Sequence, residues 1–369
     1  MNYANVLKTD EKAIFELRSL YEKYGYIQYK MSKFEEYDLY VKNKDFLVSD
    51  SIITFNDTNG KLLALKPDVT LSIIKNTQDE KGCVQKVYYN ENVYRVSKGT
   101  HTFKEIMQTG LECIGDIDTF NICEVVALAA KSLNAISDNF MLDISHMGVV
   151  SAVLNAINIP DDEKNEILKC IGEKNTHDIK KICDRYGADC EDICALVSTY
   201  GSFDSVIEKL KQMDCDFEGA LSELEKINEF MKYEGFEKKI NLDFSIVNDM
   251  NYYSGIVFRG FIEGIPTGIL SGGQYDKLMV KMGRKCGAIG FAVYLDMLER
   301  LNENVKKYDV DTLLVYNEDS NEIDIANLIT MFTDNGNSVL AVKAIPDGLK
   351  YRQLIRLKDR GFEILEKND

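Results

Sequence analysis

The chain lacks the features that direct a protein to a membrane, out of the cell or onto nucleic acid. No apolar run is long enough to span a bilayer, and the N-terminus, MNYANVLKTDEKAIF, lacks the basic-then-apolar order of a signal peptide. Positive charge is scarce: 44 Lys and Arg face 60 Asp and Glu, so the net charge is −16. A surface this acidic repels phosphate backbones. We expect a cytoplasmic protein whose main partner is neither a membrane nor a nucleic acid.

Repeated C-x-x-C pairs, which are typical of structural zinc sites, are also absent. The nine cysteines are an odd number, and without a secretion signal reduced thiols are expected. Cys183, Cys190 and Cys194 lie near His177 in the chain, so a zinc site is one interpretation. Small buried side chains are the other, and the irregular spacing favours them. We therefore expect no metal and no cofactor.

The length of 369 residues favours two or three structural parts. Residues 10–25 predict an amphipathic helix that stops at Gly25, and residues 148–236 predict a run of helices without a sheet signal. Residues 306–369 alternate between strand and helix patterns, which is typical of a small α/β unit with parallel strands. We predict an α+β fold in which residues 1–305 form a mainly antiparallel sheet flanked by helices. The helical insertion falls at about 148–236, and a small C-terminal α/β domain covers 306–369.

Most of the core outside the insertion has the pattern of strands. The predicted strand segments are 26–40, 83–98 as two short strands, 103–115 as one longer strand, and 139–146. Two further segments are predicted to contain helices: the second half of 286–301, and GLKYRQLIRLKDRG at 348–361.

Tyrosines and glycines cluster in residues 242–278, LDFSIVNDMNYYSGIVFRGFIEGIPTGILSGGQYDKL. Tyr252, Tyr253 and Tyr275 are amphipathic rings suited to the lining of a pocket for a small polar ligand. The pair at 272–273 is Gly-Gly, which lets a backbone approach another group closely. The alternative is a hairpin with surface tyrosines, and this stretch alone does not decide between the two.

The predicted strand 103–115 carries a second set of candidates. Gln108 and Glu112 flank a glycine and point to the same side of an extended segment. An amide and a carboxylate placed in this way suit a cationic ligand group, and a solvated strand face is the alternative. Asp68 and Thr70 are two residues apart and share a face if their segment is extended.

Five segments resemble the catalytic core of histidyl-tRNA synthetase, a class II synthetase, in the same order and over most of residues 1–305. LALKPDVTLSI is similar to the family's Leu-Arg-Pro-Glu-Gly-Thr segment, and VYRVSKGTHTFKEIMQTGLECIG to its motif 2. NDMNYYSGIVF is similar to Arg-Gly-Leu-Asp-Tyr-Tyr-x-Gly, SGGQYDKL to Gly-Gly-Arg-Tyr-Asp-Gly-Leu, and IGFAVYLDML to motif 3. The resemblance implies a class II aminoacyl-tRNA synthetase-like fold.

The positions that activate an amino acid in the synthetase are changed here. Adenylation places negative charge on phosphate oxygens and depends on cations beside them. The resemblance puts the family's catalytic arginine at Asn248, its motif 3 arginine at Met297 and a further arginine at Lys104, while Arg95 remains. Neither an asparagine nor a methionine offers a bidentate cation, and losing one such group costs about a hundredfold or more in rate.

The amino-acid side of the pocket is kept better. The resemblance assigns Asp68 and Thr70 to the ligand's ammonium, Gln108 and Arg95 to its amino and carboxylate groups, Glu112, Tyr253 and Tyr275 to the imidazole of L-histidine, and Tyr252 to the pocket lining. A site that binds histidine but does not activate it is typical of a sensor.

This combination resembles the family of ATP phosphoribosyltransferase regulatory subunits, which serve the first step of histidine biosynthesis. The resemblance implies a non-catalytic subunit that activates a short-form catalytic subunit, carries histidine feedback, and forms a homodimer within a hetero-oligomer. Residues 306–369 hold nine Lys and Arg against twelve Asp and Glu, so we expect no tRNA binding. Two alternatives stay open: a divergent histidyl-tRNA synthetase or other histidine-activating ligase, and a scaffold with a vestigial pocket.

Overall fold

The structure is a computed structural model of the chain. It describes residues 7–44, 47, 52–78, 80–97, 100, 102–247, 252–301, 307–358 and 361–368. The chain divides into two compact units, Met1–Leu301 and Asn302–Asp369, and each is described by itself. The boundary predicted at residue 305 falls in 302–306, outside the described residues.

The strands belong to three sheets. In chain order they are β1 (Ile27–Gln28), β2 (Phe34–Glu36), β3 (Thr54–Asn56), β4 (Leu62–Leu65), β5 (Val84–Val96), β6 (Phe103–Gly115), β7 (Phe140–His146), β8 (Tyr200–Gly201), β9 (Ile240–Asp243), β10 (Ile256–Ile262), β11 (Leu270–Gln274), β12 (Gly287–Tyr294), β13 (Val310–Val315), β14 (Val339–Val342), β15 (Tyr351–Lys358) and β16 (Gly361–Lys367).

The helices are mostly amphipathic or buried. In chain order they are α1 (Thr9–Lys23), α2 (Tyr37–Lys42), α3 (Thr70–Asn76), α4 (Thr119–Ile136), α5 (Met147–Ala156), α6 (Asp161–Gly172), α7 (Thr176–Tyr186), α8 (Glu191–Ser198), α9 (Phe203–Leu210), α10 (Glu218–Tyr233), α11 (Asp276–Lys281) and α12 (Glu322–Asp334), with a 3₁₀ helix at Leu295–Leu301.

Within the described residues, nine strands form the main sheet in the order β1-β5-β6-β12-β11-β10-β7-β9-β8. The six central strands from β5 to β7 are antiparallel to their neighbours, whereas β1 and β9 join by parallel pairing. Helices α1 and α4 pack on one face of this sheet, where Leu133 of α4 lies against the bare backbone of Gly260. The α+β prediction with a mainly antiparallel sheet flanked by helices is confirmed.

Helix α4 is long and apolar enough to cross a bilayer by length and composition alone, with a hydropathy of 1.2. The expectation that no run reaches this length is therefore wrong. In the structure 56% of this stretch is buried, and α4 packs on β7, β10, β12 and α10. Its apolar composition is that of a core helix that is covered on most sides.

The helical insertion occupies the chain between β7 and β9 and consists of α5 to α10. Its one departure from the predicted pattern is β8, two residues that pair antiparallel with β9. Cys183 is fully buried, and burial raises the pKa of its thiol to about 11, which keeps it protonated. In the described part of the chain no three His, Cys, Asp or Glu side chains are placed to hold a metal.

Three local predictions in the larger unit are wrong. Where two short strands were predicted in 83–98, the structure has the single strand β5, because β6 pairs with it without interruption from Val84 to Val96. The end of 26–40 is helix α2 rather than strand. In 286–301 the small residues form strand β12 between β6 and β11, and the following turns are 3₁₀ rather than α.

In the smaller unit, the described residues form a four-stranded sheet, β14-β13-β15-β16, with α12 packed beside it. Strand β13 is parallel to β14, as predicted, and also to β15, whereas β16 is antiparallel to β15. The helix predicted at 348–361 is wrong: this segment contains β15, whose Leu354 and Ile355 are both buried.

Candidate functional site

The eight residues predicted to bind a ligand line one cavity of about 90 Å³ in the larger unit. They come from five parts of the chain: the start of α3, strand β5, strand β6, the turn before β10 and the turn after β11. Because side chains alternate along a strand, Gln108 and Glu112 of β6 share one face, opposite the face that packs on α4. The small volume restricts the occupant to a small molecule.

Glu112 is the central polar group of this cavity and is only 2% exposed. Thr70 Oγ1 donates to Glu112 Oε1 at 2.7 Å, and the Tyr275 hydroxyl donates to Glu112 Oε2. Two neutral donors hold the carboxyl in a defined orientation and leave further lone pairs for a ligand.

The strand beside Glu112 provides the space for its side chain. Gly290 of β12 is the cross-strand neighbour of Glu112, and a Cβ on Gly290 would lie 1.9 Å from Glu112 Oε2. Gly272 and Gly273 of β11 are similarly tight, since a Cβ on Gly273 would lie 2.7 Å from the Tyr253 ring. Glycine backbone therefore forms the floor on which the polar and aromatic side chains lie.

Burial shifts the acidic groups of the cavity toward their neutral forms. It raises the pKa of Glu112 to about 8, although the hydrogen bonds from Tyr275 and Thr70 act in the opposite direction. Burial also raises the pKa of Asp68, against the lowering effects of the Leu71 backbone N–H and the charge of Arg95. A cationic ligand group would favour the ionised carboxylates, so the cavity suits a ligand that carries positive charge.

The sequence suggests that Asp68 and Thr70 share one face of an extended segment. In the structure they do not, because the segment turns into a helix. Thr70 begins α3, and Asp68 Oδ1 accepts the backbone N–H of Leu71 at 2.9 Å, as a cap of that helix. Both still line the cavity because the helix begins at its edge. Arg95 is held beside them by a bond from its Nε to the Pro67 carbonyl oxygen at 3.1 Å.

The three tyrosines form the aromatic wall. The ring centroids of Tyr252 and Tyr253 are 4.7 Å apart, and those of Tyr252 and Tyr275 are 5.8 Å apart. Tyr275 is only 2% exposed. This arrangement provides flat surfaces and hydroxyl groups for a planar polar ring.

The resemblance aligns three arginines of the synthetase with other residues of this chain. One of these residues, Asn248, lies outside the described residues. Met297 is in the 3₁₀ helix, where Thr267 Oγ1 approaches its sulfur at 3.9 Å. Lys104 is exposed on β6, opposite Arg95 on β5. A neutral thioether therefore occupies the motif 3 position.

Sequence analysis missed several residues that complete the site. Gly290, Tyr89, Ser271 and Tyr294 also line the cavity. Gly290 is the glycine of the motif 3-like segment, and an isolated glycine in a strand pattern indicates a close approach by another group. Tyr89 had no such signal, because nothing in its own segment distinguishes a pocket tyrosine from a core tyrosine.

Comparison with known proteins identifies the family of this chain. The family model described as Histidyl-tRNA synthetase matches residues 6–298. An ATP phosphoribosyltransferase regulatory subunit from Clostridium kluyveri is 30% identical over 318 residues, which cover 82% of this chain and 81% of that protein.

Two solved structures share the fold. One, an ATP phosphoribosyltransferase regulatory subunit/histidyl-tRNA synthetase from Bacillus halodurans, has a TM-score of 0.76 at 24% identity and covers 94% of this chain and 93% of that one. The other is from the ATP phosphoribosyl transferase (HisG:HisZ) complex of Thermotoga maritima, with a TM-score of 0.63 at 20% identity, covering 78% of this chain and 97% of that one. The chain belongs to the histidyl-tRNA synthetase-like family of ATP phosphoribosyltransferase regulatory subunits.

Proposed function

We propose that this chain is the regulatory subunit of an ATP phosphoribosyltransferase and that the cavity around Glu112 is where it binds L-histidine. The observation that carries the proposal is the convergence of an acid, a guanidinium, an amide and three tyrosines on one small cavity. These are the groups that an amino acid with a cationic aromatic side chain requires. The chain supplies regulation, and the partner supplies the catalytic site.

In this proposal each end of histidine meets groups of complementary charge. Glu112 accepts an imidazole N–H while the aromatic wall covers the ring. Asp68 and the lone pairs of Thr70 receive the ammonium, since Thr70 uses its own hydrogen on Glu112. Arg95 binds the carboxylate through its terminal nitrogens, since its Nε is occupied by Pro67.

The name of one relative supports the proposed partner. The Thermotoga maritima protein is named as a complex of two kinds of subunit, which supports a hetero-oligomer here. We propose a short-form catalytic subunit as the partner, a homodimer of this chain within the complex, and a cytoplasmic location. Feedback requires only that the free energy of histidine binding differ by roughly 1–3 kcal/mol between the active and the inactive complex.

The decisive experiment is phosphoribosyl-ATP formation by the cognate short catalytic subunit, with and without this chain, across a histidine titration. We expect strong activation by the chain and its reversal by histidine. Glu112→Gln should weaken the reversal at least tenfold, because the substitution replaces the anionic acceptor with a neutral amide. Glu105→Gln is the matched control, because Glu105 lies on the same strand but is exposed.

Three results would contradict the proposal. Absence of activation would remove the regulatory role, and histidine-dependent ATP–pyrophosphate exchange by the isolated chain would replace it with the ligase alternative. Activation that histidine reverses equally in Glu112→Gln and in the native chain would place the effector site elsewhere.

A further inference from the structure

Three thiols meet in the helical insertion, at the point where helix α7 passes into α8. Cys183 lies in the last turn of α7, Cys190 is the residue before α8, and Cys194 lies one turn into that helix. The Cys190 sulfur is within hydrogen-bond contact of both the Cys183 thiol and the Cys194 thiol. The lining of the cavity around Glu112 comes from other parts of the chain, so this thiol cluster is separate from that site.

The three sulfurs differ in how they can react. Cys183 is fully buried, whereas Cys190 and Cys194 are partly exposed. Burial, together with the neighbouring Cys190, raises the pKa of the Cys183 thiol and that of the Cys194 thiol to about 11. Both are therefore protonated at neutral pH, and each can donate an S–H to the Cys190 sulfur. Because a protonated thiol is a poor nucleophile, Cys190 is the sulfur that a small electrophile from solvent meets first.

The backbone decides which neighbour can be joined to Cys190. The Cys194 backbone N–H donates to the Cys190 carbonyl oxygen at 2.9 Å, so these two residues are one helical turn apart. Cβ atoms at this spacing lie about 5–6 Å apart, whereas a disulfide requires about 3.5–4.5 Å. Cys183 comes from a different helix and is not bound by that spacing. The partner that fits a disulfide with Cys190 is therefore Cys183.

Acidic side chains surround the thiol cluster. Asp184 follows Cys183 in the chain, Asp189 and Glu191 flank Cys190, and all three acids are exposed. Negative charge at this surface repels an anionic oxidant such as oxidised glutathione, but it does not repel an uncharged hydroperoxide. A small neutral peroxide is therefore the class of oxidant that this surface favours.

We infer that Cys190 and Cys183 form a redox modification site, which a hydroperoxide converts into a disulfide between α7 and α8. The Cys190 sulfur attacks one peroxide oxygen, the O–O bond breaks and an S–O bond forms. The Cys190 proton goes to the leaving oxygen, so the products are a sulfenic acid and water or an alcohol.

The second step closes the disulfide. The Cys183 sulfur attacks the Cys190 sulfur, the S–O bond breaks, and hydroxide leaves with the Cys183 proton as water. In total the two thiols lose two electrons and two protons, and the peroxide is reduced by the same two electrons. A dithiol reverses the reaction by thiol–disulfide exchange. The inference does not rest on histidine binding or on the catalytic partner.

The test is peptide mapping of the isolated, reduced full chain after treatment with a small molar excess of hydrogen peroxide near neutral pH. Trypsin cleaves after Arg185 and so separates Cys183 from Cys190. We expect one linked pair of peptides, 182–185 with 186–209, which is lighter by two hydrogens than its parts and which a dithiol separates. The link should form at least tenfold faster in the folded chain than in the chain unfolded in urea, because the fold holds the two sulfurs together. Oxidised glutathione at the same concentration should act at least tenfold more slowly at low salt and should gain rate as salt is added.

Variants assign the two sulfurs. Cys194→Ser should keep the linked pair of peptides, whereas Cys190→Ser should lose it. Cys183→Ala should also lose it and should leave Cys190 as a sulfenic acid that dimedone traps. Cys83→Ser is the matched control, at an exposed cysteine outside the insertion, and should change nothing.

The native chain alone can overturn the inference, so the test stays decisive if a variant fails to fold. Absence of the link between the two peptides would do so, as would equal rates in the folded and the unfolded chain. Loss of the link in a folded Cys194→Ser variant, or its persistence in Cys190→Ser, would assign the disulfide to other sulfurs. A glutathione rate equal to the peroxide rate would remove the assigned class of oxidant.

Discussion

At the scale of single residues, the site depends on its glycines as much as on its polar side chains, because a glycine leaves room for the side chain of a neighbouring strand. The Glu112 carboxyl occupies the space that a Cβ on Gly290 would fill. The carboxyl and its two donors can therefore keep their positions only while residue 290 is glycine. A substitution at Gly290 therefore tests the site without removing any of its polar groups.

We predict that Gly290→Ala reduces histidine affinity at least tenfold and destabilises the fold by about 1–3 kcal/mol, because the new methyl group displaces the Glu112 carboxyl. Calorimetry and urea unfolding measure the two effects. Gly219→Ala is the control, because a Cβ there meets nothing within 4 Å. Native histidine affinity in Gly290→Ala would show that Glu112 does not contact the ligand.

The protonation of Glu112 predicts a pH dependence of stability. The folded protein holds this proton up to a pKa of about 8, whereas the ordinary value is 4.5. Between these values the folded state binds more protons than the unfolded state. The contribution of Glu112 to the free energy of unfolding is therefore largest below about pH 4.5. It falls by roughly 1 kcal/mol per pH unit as the pH rises from there, and it is lost once the pH passes about 8.

The measurement is urea unfolding of the ligand-free protein at several pH values from about 5 to about 8. Glu112→Gln cannot titrate, so its free energy of unfolding should fall less steeply than that of the native chain. Asp68 shifts in the same direction and remains in both proteins, so the comparison isolates Glu112. Parallel pH profiles would mean that Glu112 is ionised in the folded state.

At the scale of elements, α4 packs against both the sheet and helix α10 of the insertion, and it begins with a well-formed cap. Asp118 accepts the Asn121 backbone N–H at 2.9 Å, and the Asn121 side chain returns a bond to the Asp118 backbone. We predict that Asp118→Ala lowers the free energy of unfolding by about 1 kcal/mol. Asp116→Ala, at an exposed residue two positions earlier, should have less than half of that effect in the same urea titration.

Helices and strands with a clear hydrophobic period were predictable from the sequence. Strands that form by pairing with distant parts of the chain were not. α1 matches its amphipathic pattern and stops before Gly25. β15 was predicted as a helix because its lysines, arginines and leucines favour helices, but parallel pairing with β13 overrides that preference. The polar run at 90–92 suggested a break in β5, yet Asn90 is bonded within the sheet by Thr109.

The same distinction holds for the site. Its chemical groups were predictable because they lie in segments that resemble family motifs. Their contacts were not, because the pairing of Glu112 with Gly290 depends on the register of β6 and β12. Arg259 lies in no motif, and its close approach to the backbone of Gly268 appears only in the structure.

At the scale of the whole molecule, the cavity around Glu112 lies entirely in the larger unit. We predict that a chain ending at Leu301 folds and binds histidine within about twofold of the full chain, as calorimetry would show. Loss of histidine affinity in a truncated chain with a native circular dichroism spectrum would assign residues 302–369 a part in the site.

The side chain of Arg95 has a consequence at this scale that concerns two ligands at once. A second cavity, of about 410 Å³, shares Arg95 with the cavity around Glu112, so the charge of Arg95 acts on a molecule in either space. By thermodynamic linkage, the factor by which a molecule in the second space changes the affinity of the first cavity for its ligand equals the factor by which that ligand changes the affinity of the second cavity.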